Sequence, residues 1–132
     1  MRPCRRSAAR RRKEALSGAG NRIGVGLIVE AQQALQKQHI AVRLESMPCW
    51  ELFEAQSCDY RDSMLLQSVH VRLAVEAGVT QGWHRYVGDQ EDVIGVDRFG
   101  ASAPGPVVMR EYGFNVENVC KQALALLEKK TV

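Results

Sequence analysis

A chain of 132 residues and 14.7 kDa suits one domain with its own core. Its 45% apolar and 25% charged residues are ordinary for a soluble globular protein, and no apolar run approaches the roughly 20 residues that span a bilayer. The net charge of +3 is uneven: Arg2, Arg5, Arg6, Arg10, Arg11, Arg12 and Lys13 open the chain without one acid, while the remaining 119 residues carry 11 Lys or Arg against 15 Asp or Glu. A mildly acidic body offers nucleic acid no broad basic surface, so Arg5, Arg6, Arg10, Arg11 and Arg12 are the candidate nucleic-acid contacts.

In chain order, residues 1–24 combine this basic start with Ser17, Gly18, Gly20, Asn21 and Gly24, and are expected to be a disordered arm. Gly18 to Gly24 contains a GxG but shows neither a preceding strand nor a helical start, so it reads as linker and not as a phosphate loop. Residues 25–132 form the expected domain. Leu27, Ile28, Ala31, Ala34 and Leu35 recur at helical spacing and predict a helix from Val25 to about His39. Ile40 to Leu44 predicts a strand that Pro48 stops. Short helices follow over 49–56, with Trp50, Phe53 and Leu52 turned inward, and over about 59–65. Val69 to Ala77 predicts a second strand, 83–87 a short helix, and Val93 to Val96 a third strand. Val107 to Tyr112 is a helix that Gly113 closes, and a last helix runs from an Asn115 cap to about Lys129.

This order predicts an α/β fold: a three-layer α/β/α sandwich around a small, mostly parallel sheet. A sheet of this kind wants a further strand just before Val25. The Arg-, Gly- and Asn-rich residues there show no β-pattern, so the first strand is expected to be missing and the fold to be marginal or partner-dependent.

Polar candidates are few. Asp97 and Arg98 follow a predicted strand, where open α/β sheets bind ligands. With His84 and Ser102 they form the candidate anion or interface site. A hydrolytic triad of His84, Asp97 and Ser102 lacks the G-x-S-x-G elbow. Cys4, Cys49, Cys58 and Cys120 are dispersed without a CxxC pair and read as structural thiols; with His39, His70 and His84 they make no zinc spacing. Neither a catalytic, a cofactor-binding nor a metal-binding residue is expected. The basic start lacks the apolar run of a secretory signal, so a cytoplasmic chain is expected.

Six stretches in register carry a resemblance. Ser46-Met47-Pro48-Cys49-Trp50-Glu51-Leu52-Phe53-Glu54-Ala55-Gln56 resembles the SMPSWELFEAQ segment of the transketolase C-terminal domain. Tyr60 to Leu65 is similar to its YRESVL helix, Arg72 to Gly78 to its RVAVEAG strand, and Gly82 to Gly88 to a GWHKYVG-type helix. Ile94 to Gly105 resembles IGIDRFGASAPG, and Tyr112 to Val119 resembles FGFTVENV. Ser17 to Gly24 stands where the family has a strand resembling ILIATGSEV.

The resemblance implies a family of homodimeric enzymes that move a two-carbon ketol unit between sugar phosphates. Their thiamine diphosphate and Mg²⁺ are held by two other domains. It therefore implies an isolated or truncated domain with a non-catalytic structural or assembly role and no cofactor of its own. The alternatives are the small subunit of a split transketolase, activated by a partner subunit carrying the other domains, and a nucleic-acid module acting through the arm.

Overall fold

The computed structural model describes residues 14–19, 22–66, 69, 71–78, 80–87, 92–96, 102 and 104–131. Four parallel strands form the sheet: β1 (Glu14–Ala19), β2 (Ala41–Ser46), β3 (Val71–Val75) and β4 (Asp92–Ile94), in the order β2-β1-β3-β4. Between and after them run α1 (Arg22–Gln36), α2 (Trp50–Glu54), α3 (Cys58–Met64), α4 (His84–Val87), α5 (Gly105–Glu111) and α6 (Val116–Thr131).

The expected three-layer sandwich is present, and its two helical layers differ. Alternate residues of a strand face opposite sides. Val71, Leu73 and Val75 of β3 accordingly join α1 and α6 in one aliphatic core with Ile28, Leu35, Val119 and Leu126. Ala74 and Val93 face the other way, onto Met47, Trp83, Tyr86 and Val87.

β1, where no β-pattern was read in the sequence, is a short strand in the interior of the sheet, in register with β2 from Glu14↔Ala41 to Ala19↔Ser46 and with β3 at Ala15↔Val71 and Leu16↔Arg72. Its sequence, EALSGA, has no β-branched residue. Ladder bonds, however, are made by backbone groups that every non-proline residue carries, and neighbours override weak strand propensity. β1 begins at Glu14 and α1 at Arg22. The Gly-rich stretch that read as an isolated linker thus connects a strand to a helix, although Gly20 and Asn21 themselves lie outside the described residues.

Local signals explain the helix ends. Asn115 Oδ1 accepts from the Asn118 N–H at 2.8 Å, capping α6, and Ser57 Oγ accepts from the Tyr60 N–H at 3.2 Å, capping α3. Gly113, at φ 87°, ends α5 with Gly113 N–H bonded to Arg110 C=O at 3.0 Å and Phe114 N–H to Met109 C=O at 2.8 Å. The α1 terminus repeats this pattern with a histidine: His39, at φ 62°, donates to Gln36 C=O, and Ile40 donates to Leu35 C=O.

Candidate functional site

β2 delivers the chain to the carboxyl end of the sheet, where Met47 and Pro48 turn it into the short helices α2 and α3. Trp50 and Phe53, one helical turn apart, meet Trp83, just before α4, and Tyr86 within it. Trp50 packs edge-on against Trp83 with centroids 5.3 Å apart, and Phe53 does so against Tyr86 at 5.7 Å. Gly82 makes the approach possible: it sits at φ 90°, and a Cβ there would lie 2.7 Å from the Trp50 ring.

A polar latch crosses this layer. Tyr86 Oη donates to Glu54 Oε1 at 2.9 Å, and Arg61 Nη1 donates to Glu54 Oε2 at 3.1 Å, so one carboxylate ties α2, α3 and α4 together. Burial, reinforced by the Glu54 carboxylate, holds the Tyr86 phenol above the ordinary tyrosine range. Arg72 donates to three carbonyls, Val69 at 3.1 Å, Tyr86 at 2.7 Å and Leu66 at 2.9 Å, which bind the approach to β3 to the end of α4. Its burial lowers the guanidinium pKa from the usual value. Arg43 pairs with Glu45 and donates to Ser63 C=O at 2.8 Å, anchoring α3 to β2.

Between α2, α3 and the end of β2 lies a cavity of about 170 Å³, lined by Glu45, Pro48, Leu52, Phe53, Tyr60 and Met64 among others. Leu52, expected to point inward, is instead 66% exposed at its mouth, and Tyr60 is 46% exposed. The helical phase explains the reversal: with Trp50 and Phe53 fixing the inner face, position 52 lies on the far side. At this edge the Cys49 thiol donates to Glu51 Oε2 at 3.3 Å. A hydrogen bond from the Glu51 backbone, then that thiol, holds the Glu51 carboxyl below its usual range. Cys49 and Cys120 are free thiols, whereas Cys58 is disulfide-bonded, which corrects the reading of structural thiols throughout. Burial pushes the Cys120 thiol pKa up.

Of the residues singled out from the sequence, His84 opens α4 with its side chain exposed, and Ser102 is exposed in a bend. Asp97 and Arg98 lie outside the described residues, as do Arg5, Arg6, Arg10, Arg11, Arg12 and His70. Sequence reading missed Glu54, Arg61 and Arg72. Glu54 and Tyr86 are 32 residues apart, Arg72 and the Tyr86 carbonyl 14, and Arg61 and Glu54 lie on different helices, so no helical or strand period announces these pairings. Among the described residues no three His, Cys, Asp or Glu side chains are placed to hold a metal ion, and no helix is long and apolar enough to cross a membrane. The 170 Å³ cavity does not fit a diphosphate cofactor, because it offers apolar walls and the Glu45 carboxylate where an anion needs donors and cations.

Comparison with known proteins bears on what this geometry serves. The family described as "Transketolase-like TK C-terminal domain" matches residues 5–115. The chain is 51% identical over 106 residues to transketolase from Halalkalibacterium halodurans and 53% identical over 105 residues to that from Geobacillus stearothermophilus. Each alignment covers 80% of this chain and 16% of the relative, so the chain spans about a sixth of the length of these proteins. Transketolase from Leishmania mexicana superposes with a TM-score of 0.78 at 36% identity, over 89% of this chain and 16% of that one. A split-gene transketolase solved as an inactive β4 tetramer shares the fold, with a TM-score of 0.63 at 16% identity, over 89% of this chain and 40% of that one.

Proposed function

The chain belongs to the family of transketolase C-terminal domains, and from that premise we propose that it acts in the cytoplasm as a non-catalytic structural or assembly domain. Ketol transfer in which it takes part would then depend on a partner subunit that carries the cofactor-binding domains. The observation that supports this reading most is positional: the match falls on the C-terminal domain and spans 16% of its relatives' length.

Chemistry supports it as well. Moving a two-carbon ketol unit requires an acyl-anion equivalent, which thiamine diphosphate supplies when a protein holds it. The apolar, glutamate-edged cavity offers a diphosphate no cation. What the chain's residues do is brace: Glu54 and Arg72 tie three short helices and a strand together at one edge.

The experiment is a turnover assay on the purified chain with a ketose phosphate, an aldose phosphate, thiamine diphosphate and Mg²⁺. No transfer and no saturable cofactor heat are expected from the chain alone. Activity is expected to appear when a second chain supplying the two other domains is added, and the two should co-purify. Turnover by the chain alone overturns the proposal.

A further inference from the structure

Cys58, the first residue of α3, is disulfide-bonded, whereas Cys49 and Cys120 are free thiols. The sequence holds four cysteines, so the one left to pair with Cys58 is Cys4, which lies outside the described residues. We propose that a Cys4–Cys58 disulfide is a reversible redox clasp that ties β1 into the sheet when formed and lets it loosen when reduced.

Reach and charge both permit the pairing. Glu14, at the start of β1, lies level with Ala41 at the amino end of β2, and α3 follows the opposite end, where Arg43 of β2 holds Ser63 C=O. The two ends of a six-residue strand are about 17 Å apart, and an extended chain from Cys4 to Glu14 spans at most about 35 Å. Cys4 has Arg2, Arg5 and Arg6 as close neighbours in sequence, and Cys58 is followed by Asp59, exposed, and by Asp62. Opposite charges beside the two sulfurs draw the arm toward α3.

β1 is the element that gains from such a tie. It is an interior strand, paired with both β2 and β3, yet it is the first described element of the chain and has no β-branched residue. A first strand is held by the chain at one end only and opens from the other unless something fastens it. A bond from Cys4 to α3 closes a loop that contains β1, α1, β2 and α2. It fastens the free end of β1 and also restricts the unfolded chain. Opening β1 would leave the ladder groups of β2 and β3 without partners.

Reversibility rests on the cytoplasmic setting of the proposed function, because disulfides in that compartment are mostly transient and redox-sensing. The reductant is a small monothiol of the glutathione class. One thiolate attacks the disulfide, the S–S bond breaks, and one cysteine leaves as a thiolate that takes up a proton. A second thiol displaces the other cysteine, so two protein thiols form and two reductant thiols become one disulfide. Arginines stabilise a neighbouring thiolate, which favours Cys4 as the leaving group.

The test uses the full chain, equilibrated with oxidised glutathione and quenched with iodoacetamide. Two cysteines, Cys49 and Cys120, should be alkylated, and the peptide holding Cys4 should be joined to that holding Cys58. Excess reduced glutathione should free all four thiols and raise the unfolding constant from urea titration about thirtyfold to a thousandfold. Amide exchange in β1 should then quicken by a larger factor than in α6. Cys4→Ser should match the reduced chain under both conditions, and Cys49→Ser should keep the redox response. Four free thiols after oxidation, Cys58 joined to a second chain or to glutathione, or equal stability and β1 exchange in both states would each overturn the clasp. A disulfide that withstands excess reduced glutathione would overturn its reversibility. None of these readouts involves ketol transfer, so the clasp and the proposed function can fail separately.

Discussion

On one side of the sheet, α1 and α6 cover Val71, Leu73 and Val75 with aliphatic side chains, and Ala31, Leu35, Ala123 and Leu126 are all but sealed from water. On the other, α2 and α4 lean on Ala74 with aromatic rings whose remaining atoms are polar: the Tyr86 hydroxyl, the Glu54 carboxylate, and the Arg72 head on backbone carbonyls. The first side gains from area alone, which is roughly additive and indifferent to direction. The second depends on geometry, because each polar atom brought in there costs free energy unless its partner is placed. It also leaves Leu52 and Tyr60 exposed beside acids. One layer holds the domain together, and the other shapes a surface.

The largest effect should come from the aliphatic layer. Leu73 is 2% exposed and packs at the centre of the larger core. Leu73→Ala should lower the unfolding free energy by about 2–5 kcal/mol, read from the urea midpoint at unchanged slope. That is a large share of the roughly 5–15 kcal/mol typical of a domain. A loss under about 1 kcal/mol would mean that the two layers contribute alike and that the contrast is wrong.

A smaller and differently shaped loss is expected at Gly82. An alanine there meets both a positive φ, costing about 1–2 kcal/mol, and the Trp50 ring at 2.7 Å. Gly82→Ala should therefore cost about 2 kcal/mol in the same urea measurement and displace Trp50 from Trp83. The displacement would appear as a changed near-ultraviolet circular dichroism band while the helical far-ultraviolet signal is kept. An unaltered aromatic band would show that Trp50 is not held by the glycine.

How legible each layer was follows from the same contrast. The aliphatic side could be read from residues because α1 and α6 carry an apolar stripe at helical period, and Asn115 and Gly113 announce where α6 begins and α5 ends. β1 could not: Glu14 to Ala19 has several small residues and no β-branched one, and its place is set by neighbours that come later in the chain. On the aromatic side the inward turn of Trp50 and Phe53 was readable from their spacing. Leu52 could have been placed outside by the same phase. The Glu54–Tyr86 bond and the bond from Arg72 to the Tyr86 carbonyl are long-range pairings with no local period to betray them. The candidate site at the edge was therefore legible only as a family resemblance around residues 46–56, not as a groove.

The turn from α1 into β2 carries the smallest expected effect, and it tests whether the aliphatic side is itself free of local conflict. His39 occupies the left-handed position that ends the helix, with φ at 62°, and its N–H and that of Ile40 satisfy the carbonyls of Gln36 and Leu35. Glycine is the residue that takes this conformation without the Cβ clash, and it is the usual one at this place in a helix terminus. The histidine side chain is exposed, so its removal empties no cavity. The unfolded chain gains freedom from an added glycine, which subtracts part of the benefit. The balance favours the native state: His39→Gly should raise stability by up to about 1 kcal/mol, seen as a higher urea midpoint with an unchanged slope. A lower midpoint would mean that the histidine ring makes a contribution at the helix end that outweighs its backbone strain.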